Sequence, residues 1–231
     1  MREKILIIED DKDICEILRF ALMKEGYIVK VNPNGLEAKD EIRSFSPNLI
    51  LLDIMLKDTD GFSVCKEISR YKIPIIMLTA RVDIMDKILG LELGADDYIT
   101  KPFDIREVIT RIRVCLRRIE EINKISNTEK VNEILIENIN INEDSRSVYV
   151  LEKEVQLKPK EFELLLFLSK NPNKVFSRNQ LLDLVWGYDY LGDTRTIDVH
   201  ITRLRKKLNE EFKIETVFGI GYMLKVKNVN N

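Results

Sequence analysis

Four short apolar runs alternate with stretches of helical periodicity in the first half of the chain. They are Ile5–Ile8, Leu49–Leu52, Ile75–Leu78 and Tyr98–Thr100. Runs of this length between helix-like segments predict the buried strands of a parallel sheet. Polar residues stand at the ends of these runs, namely Asp10 and Asp11, Asp53, Thr79 and Lys101. Because ligands of open α/β sheets bind beyond the carboxyl ends of the strands, we expect these side chains to form one site.

The pattern changes in the second half of the chain. Short strand-like segments come first: Ile134–Ile136, Ile139–Ile141, Ser147–Val150 and Val155–Leu157. A helix is predicted from Pro159, since proline suits a first helical turn, and Ser177 with Gln180 forms a capping box ahead of a second helix. A third helix, about Arg195 to Leu208, carries an apolar stripe at helical spacing, and two strand-like runs follow it. The stripe consists of Ile197, Ile201, Leu204 and Leu208. The order of elements predicts a sheet followed by a winged helix-turn-helix.

The acids of the first half point to a chemical reaction. Asp10, Asp11 and Asp53 would repel one another unless a hard cation lay between them, and Mg²⁺ prefers such oxygens while leaving room for a phosphate. A carboxylate is also a nucleophile that forms an aspartyl phosphate. Lys101 and Thr79 would then stabilise the phosphoryl oxygens. Each residue alone is typical of a helix cap or a loop, but the ordered set predicts phosphoryl transfer onto Asp53.

One face of the predicted third helix carries a mixture of residues that suits a DNA major groove. The face consists of Val199, Thr202, Arg203 and Lys206. Taken alone, a basic helix face is more often a solvated surface. An exposed valine among these groups, however, can meet a thymine methyl group, and an arginine can bind guanine. Arg195, Arg205 and Lys207 flank this face and are expected to reach phosphates.

Residues 1 to 118 resemble the receiver domains of two-component response regulators. The resemblance is carried by Glu9-Asp10-Asp11, Leu52-Asp53-Ile54-Met55-Leu56, Leu78-Thr79-Ala80 and Tyr98-Ile99-Thr100-Lys101-Pro102-Phe103. It implies a doubly wound, five-stranded parallel sheet of the flavodoxin-like class, with Asp53 as the phosphoacceptor. It further implies Mg²⁺ ligation by Asp10, Asp11, Asp53 and the backbone carbonyl of Met55, phosphoryl contacts from Thr79 and Lys101, and Tyr98 as the switch residue. The Lys101-Pro102 peptide bond is expected to be cis.

Two further points follow from this resemblance. The family commonly has proline where this chain has Lys57. The departure implies either a more mobile loop or an additional charge beside the acceptor, and no catalytic residue is lost. The family also pairs two receivers on phosphorylation. The matching positions here are Lys87, Ile88, Leu91, Asp96, Asp97, Glu107, Ile109, Arg111 and Arg118. The alternative, that these charges have partners within the chain, is equally compatible with the sequence.

Residues 133 to 227 resemble the winged-helix output domain of OmpR/PhoB-type regulators. The resemblance is carried by Leu157–Leu165, by Arg195–Leu208 and by Gly219-Ile220-Gly221-Tyr222. It implies base contacts from Val199 and Arg203, and positions near the DNA backbone for Trp186, Arg195, Thr196 and His200. Some members carry a wing arginine that enters the minor groove, whereas this chain has Phe218 there.

Length and composition are consistent with two domains and limit the classes of protein to consider. A chain of 231 residues is long enough for two domains, which we expect at 1–120 and 132–228 with a polar linker at 121–131. The net charge of −2 does not by itself indicate a nucleic-acid binder. Cys15, Cys65 and Cys115 show no metal or redox spacing, and neither a signal pattern nor a membrane-length apolar stretch occurs. A cytoplasmic location is therefore expected.

The whole pattern predicts a transcription factor switched by a sensor histidine kinase. It would catalyse its own phosphorylation and dephosphorylation, dimerise through the receiver, bind tandem promoter half-sites and contact RNA polymerase. One alternative is a phosphatase of the haloacid dehalogenase type, whose Asp-x-Asp motif is absent at Asp53. Another is a DNA-binding regulator that works without phosphorylation, although the receiver residues are intact.

Overall fold

The computed structural model describes residues 2–80, 84–124, 133–187, 190, 193–208 and 213–226. The chain divides into two compact units, Met1–Leu116 and Arg117–Asn231. Among the described helices, none has the length and apolar character needed to cross a membrane.

The first unit alternates strands and helices around one parallel sheet. Its elements are β1 (Lys4–Ile8), α1 (Lys12–Lys24), β2 (Ile28–Asn32), α2 (Ala38–Phe45), β3 (Leu49–Asp53), α3 (Gly61–Ile68), β4 (Ile75–Thr79), α4 (Ile84–Leu93), β5 (Asp97–Thr100) and α5 (Ile105–Lys124). Within the described residues the strand order is β2-β1-β3-β4-β5, and all pairs are parallel. The apolar residues of β3 and of the central part of β1 are fully buried, as expected for strands covered on both faces. The predicted flavodoxin-like fold is confirmed.

A close backbone approach fixes the segment that follows Asp53. Asp60 caps α3 by accepting a hydrogen bond from the backbone N–H of Phe62. A Cβ atom added at Gly61 would lie 2.3 Å from the carbonyl oxygen of Asp53, so only glycine allows this contact between α3 and the end of β3. The loop carrying Met55 and Lys57 is thus held between two fixed ends.

The second unit contains two small antiparallel sheets and a helical layer among its described residues. The strands of the first sheet lie in the order β6 (Glu133–Ile136), β7 (Ile139–Asn142), β8 (Ser147–Val150) and β9 (Lys153–Glu154). The helices are α6 (Pro159–Lys170), α7 (Arg178–Leu181), which continues as a π-helical segment Leu182–Trp186, and α8 (Arg195–Leu208). The strands of the second sheet lie in the order β10 (Phe176–Ser177), β12 (Gly221–Leu224) and β11 (Ile214–Val217). A hairpin after the third helix is the predicted wing.

Two local features of the second unit agree with the sequence-based predictions. The capping box of Ser177 and Gln180 is present, and the four residues of the apolar stripe on α8 are fully buried. The fourth strand of the second unit, β9, lies at Lys153–Glu154, slightly before the predicted Val155–Leu157. Helix α5 extends to Lys124 and so includes the first residues of the predicted linker. Residues 125–131 of that linker lie outside the described residues.

Candidate functional site

Three acidic side chains meet at the carboxyl ends of β1 and β3. Glu9 and Asp10 follow β1, and Asp53 is the last residue of β3. One carboxylate oxygen from each of the three lies within 4.8 Å of the others. The two strands are neighbours with Ile8 opposite Leu52, which places Glu9 level with Asp53. Glu9 and Asp53 are buried, whereas Asp10 is partly exposed.

Lys101 is a partly buried cation in this group. Its Nζ lies 2.6 Å from Oε2 of Glu9 and 2.9 Å from Oδ2 of Asp53. Burial works against the charged form of Lys101, but the hydrogen bonds to the two carboxylates outweigh it and raise the pKa of the ammonium group. Burial raises the pKa of Glu9 to about 7, against the opposing hydrogen bond from Lys101 and with a further contribution from the charge of Asp53.

The structure corrects the predicted role of Asp11. Its carboxylate is exposed and caps α1 by accepting hydrogen bonds from the backbone N–H groups of Asp13 and Ile14, and these bonds lower its pKa. It does not belong to the acidic group found among the described residues, in which Glu9 takes its place. Glu9 had a signal in the sequence, because it directly follows the run Ile5–Ile8 just as Asp53 follows Leu49–Leu52.

The remaining predicted receiver residues lie on the adjacent strands. Thr79 ends β4 and is buried, and its carbonyl oxygen accepts a hydrogen bond from the backbone N–H of Lys101 at 2.6 Å. The bond between Lys101 and Pro102 is cis, as expected. Tyr98 lies buried on β5, and the backbone N–H of Met55 donates to Oδ1 of Asp53 at 3.2 Å. Both oxygens of Asp53 are thus oriented by neighbouring groups.

The donor set fits a hard divalent cation. Three carboxylates converge, and Lys101 neutralises only part of their charge. Carboxylate oxygens are the ligands that Mg²⁺ prefers, and their mutual repulsion is relieved when a cation lies between them. Glu9, Asp10 and Asp53 are therefore the residues that would hold the metal ion.

Lys57 contacts this group from the solvent side. Its Nζ lies 2.8 Å from Oδ2 of Asp10, and the side chain is 82% exposed. The hydrogen bond to Asp10 raises the pKa of Lys57. The additional charge that the sequence placed beside the acceptor therefore contacts one of its acids directly.

The predicted DNA-contacting residues on α8 differ in their exposure to solvent. Arg195, Thr202 and Lys206 are exposed, and Arg203 is partly exposed. The hydroxyl group of Thr202 donates to the carbonyl oxygen of Asp198 at 2.8 Å. These four side chains form what we call the outer face of α8.

Four other residues predicted at this surface are buried instead. Val199 is only 6% exposed, so the expectation of an exposed valine is wrong. Trp186, Thr196 and His200 are also buried, and the rings of Trp186 and His200 pack edge to face with centroids 5.0 Å apart. Nδ1 of His200 lies 2.8 Å from the carbonyl oxygen of Thr196. The neighbouring helices cover this side of α8, so in this unit these residues serve packing.

Arg205 and Lys207, which flank the outer face of α8, are engaged within the second unit. Arg205 donates to the carbonyl oxygen of Ile214 and to Oγ1 of Thr216, and so ties the helix to the wing strand β11. Nζ of Lys207 lies 2.5 Å from Oε2 of the buried Glu161. At the wing tip, Phe218 is 92% exposed, and Gly219 adopts a positive φ of 74° that forms the turn.

Four of the predicted dimer residues, at or next to β5 and on α5, have partners within the chain. Arg111 is buried and binds Oδ2 of Asp97 at 2.9 Å and Oε1 of Glu107 at 2.6 Å. Asp96 is buried and accepts from the backbone N–H of Ile75 at 2.9 Å. The structure therefore favours the intrachain interpretation for these four residues, and pairing between two copies stays a prediction.

The remaining dimer positions are less enclosed. Lys87, Ile88 and Ile109 are partly exposed, whereas Leu91 is buried. Nζ of Lys87 lies 4.9 Å from the ring centroid of Tyr98, close enough for a cation–π contact. The side chain of Arg118 lies outside the part of the chain that the structure describes.

Comparison with known families matches both halves of the chain. The model described as "Response regulator receiver domain" matches residues 5–113, and the model described as "Transcriptional regulatory protein, C terminal" matches residues 152–224. The alkaline phosphatase synthesis transcriptional regulatory protein PhoP of Bacillus subtilis (strain 168) is 43% identical over 239 residues, which cover 100% of each chain.

Solved structures show the same likeness. A RitR mutant is 30% identical, with 97% of this chain and 100% of that chain covered and a TM-score of 0.74. The response regulator DrrB of Thermotoga maritima, described as an OmpR/PhoB homologue, is 32% identical with the same coverage and a TM-score of 0.51. The likeness thus extends across both units of the chain.

Proposed function

Because this chain belongs to the OmpR/PhoB family of two-component response regulators, we propose that Asp53 is its phosphoacceptor and that a sensor histidine kinase is the donor. The chain is a phosphorylation-activated transcriptional regulator with a receiver domain and a DNA-binding domain. The observation that carries the proposal is the convergence of Glu9, Asp10 and Asp53 beside Lys101. A cytoplasmic location is part of the same proposal.

The phosphoryl transfer follows from the orientation of Asp53. A carboxylate oxygen of Asp53 attacks phosphorus, the bond from phosphorus to the donor breaks, and the leaving group keeps the electron pair. Lys101 and the hydroxyl group of Thr79 stabilise the phosphoryl oxygens, and bound Mg²⁺ would neutralise their remaining charge. Glu9 and Asp10 would hold the ion together with Asp53, and the carbonyl of Met55 would be a further ligand. In the dephosphorylation that we also propose, water attacks phosphorus at the same site, the bond from phosphorus to the Asp53 oxygen breaks, and inorganic phosphate leaves.

The signal to the rest of the receiver is proposed to pass through Thr79 and Tyr98. A phosphoryl group offers new hydrogen-bond acceptors that draw the Thr79 hydroxyl towards Asp53, and Tyr98 repacks in the space this leaves. Tyr98 already contacts Lys87, which lies on the proposed dimer surface. Repacking of this ring therefore changes the surface at which a second copy binds.

The proposed DNA contacts are those of the outer face of α8. In this proposal Arg203 and Thr202 contact base edges, and Arg195 and Lys206 contact phosphates. A receiver dimer would bring two such faces to one duplex and raise affinity through effective concentration. We propose that the target consists of two tandem half-sites in the same orientation. The bound dimer would then recruit or block RNA polymerase nearby.

The first test exposes the protein to acetyl phosphate with and without Mg²⁺ and follows intact mass. We expect a phosphoryl adduct that requires Mg²⁺ and is lost completely in Asp53→Asn. Asp40→Asn is the matched control, because Asp40 is an exposed carboxylate on α2. An adduct that persists in Asp53→Asn would place the acceptor elsewhere.

The second test uses the same samples for oligomeric state and DNA binding. Sedimentation should show a dimer only in the phosphorylated sample, and Lys87→Glu should weaken it. Lys87 is preferable to Arg111 as the test residue, because replacing the buried Arg111 would remove its ion pair with the buried Asp97 and so disturb the fold. Selection from a random duplex pool should return two repeats of one half-site. Dimers that form equally without phosphorylation, or selected duplexes that carry a single half-site, would contradict the proposal.

A further inference from the structure

Two lysines form ion pairs with the three acids of the receiver site. Lys101 contacts Glu9 and Asp53, and Lys57 contacts Asp10. Each acid that would ligate a metal ion therefore has an ammonium partner. Lys57 is the one that the common family pattern does not supply, since proline usually stands at its position.

The loop that carries Lys57 is anchored at several points. Met55 and Asp60 form a β-bridge across it, and the backbone N–H of Gly61 donates to the carbonyl oxygen of Ile54 at 3.0 Å. Oδ2 of Asp58 accepts from the backbone N–H of Leu36 at 3.0 Å. The backbone of this loop is therefore held in place, and Lys57 needs only its side chain to reach Asp10.

The two lysines differ in how firmly they are held. The side chain of Lys101 is 15% exposed and has two carboxylate partners, whereas that of Lys57 is 82% exposed and has one. An ion pair so open to solvent contributes little and is easily broken. A divalent cation that requires the Asp10 oxygen can displace Lys57 but leaves Lys101 in place.

We propose that Lys57 is a tethered counter-ion of Asp10 that competes with Mg²⁺ for this carboxylate and so raises the Mg²⁺ concentration at which the receiver site fills. The inference rests on the proposed function, because it requires the acidic group to be the metal site. It assigns to Lys57 an electrostatic role at Asp10 and no contact with the reacting phosphorus. The phosphorylation threshold then depends on cellular Mg²⁺ through a residue outside the reacting set.

The test is calorimetric titration of the full chain with MgCl₂ at low ionic strength, without any phosphodonor. Lys57→Gln should bind Mg²⁺ about two- to fivefold more tightly than the unmodified protein, the range expected for loss of one exposed ion pair. Lys57→Arg keeps the charge and should stay close to the unmodified protein. Lys24→Gln is the matched control, because Lys24 is exposed at the other end of α1, about 18 Å from its first turn.

Salt provides a second readout that a purely structural role would not give. The gain from Lys57→Gln should shrink as sodium chloride is raised to about 1 M, where screening extends over only about 3 Å. Equal or weaker Mg²⁺ binding by Lys57→Gln would overturn the inference, and so would an equal gain in Lys24→Gln. If the unmodified protein binds Mg²⁺ and forms the Asp53 adduct while Lys57→Gln gains nothing, only this inference fails. If no variant binds Mg²⁺, the metal requirement of the proposed function fails with it.

Discussion

The receiver site and the α8 region use polar residues in different surroundings. Around Asp53 the reacting groups are mostly buried and oriented by direct hydrogen bonds from Lys101 and Met55. On α8 the buried polar residues, Thr196 and His200, contact one another, and the proposed DNA-contacting groups are exposed or partly exposed. A site for covalent chemistry needs fixed geometry before its partner arrives, whereas a DNA-binding surface can be completed by the duplex itself.

This difference decides what a substitution does in each region. In the receiver site the same residues maintain geometry and perform the chemistry, so a change at Glu9 affects stability and function together. On α8 the two roles belong to different residues, so stability and DNA affinity should separate.

The largest effect is expected for Trp186→Ala. Trp186 is buried against His200 and Tyr190, and removing a buried aromatic side chain of this kind costs about 3–5 kcal/mol. The melting transition of the second unit in scanning calorimetry should fall sharply, and DNA binding should be lost with it. Thr202→Ala on the outer face is the control, which should melt like the unmodified protein but bind the selected duplex more weakly.

The opposite pattern would restore the earlier interpretation of Trp186. If Trp186→Ala melts normally yet no longer binds DNA, then the indole group contacts the DNA backbone, as the family resemblance implied. The contrast with Thr202 would then disappear, because both residues would act on the duplex.

A second effect, of intermediate size, concerns Glu9 and pH. The pKa of Glu9 is about 7 in the folded chain against an ordinary value of 4.5, so the folded state binds the proton more tightly than the unfolded state. The resulting stabilisation is complete below the ordinary value and is lost as pH rises through about 7, to an upper bound of about 3 kcal/mol. In EDTA the first unit should therefore melt at lower temperature at pH 8 than at pH 5.

Two variants sharpen this pH prediction. Glu9→Gln should flatten the pH dependence, because an amide does not titrate. Glu16→Gln should leave it unchanged, since Glu16 is exposed on α1. Mg²⁺ should stabilise the unmodified protein most at high pH, where Glu9 is ionised. A melting temperature that rises between pH 5 and pH 8 in EDTA would show that burial does not control this carboxyl group.

The sequence supported the receiver more completely than it supported α8, for a physical reason. Parallel strands place their carboxyl ends along one edge, so Asp53, Thr79 and Lys101 could be assigned to one site from their order alone. The error at Asp11 arose because consecutive residues leave a strand in different directions. Glu9 directly follows its apolar run as Asp53 does, and the strand register confirms that the two residues are level. On α8 the apolar stripe was predictable from its spacing, but the exposure of Val199 depends on the elements packed beside the helix, which a helical period does not specify.

The smallest effect is expected at the wing, for Phe218→Arg. Phe218 is 92% exposed, so its replacement should cost no packing, and an arginine there would add one phosphate contact. The slope of log affinity against log salt concentration should steepen by about 0.9, as measured by fluorescence anisotropy on the selected duplex. Leu135→Arg is the matched control, because Leu135 is 74% exposed on β6, in the other sheet, and gains the same charge. If both variants steepen the slope equally, the gain reflects net charge and not the position of the wing. If Phe218→Arg binds more weakly at every salt concentration, the aromatic ring itself contacts the duplex, and the outer face of α8 is not the whole DNA-binding surface.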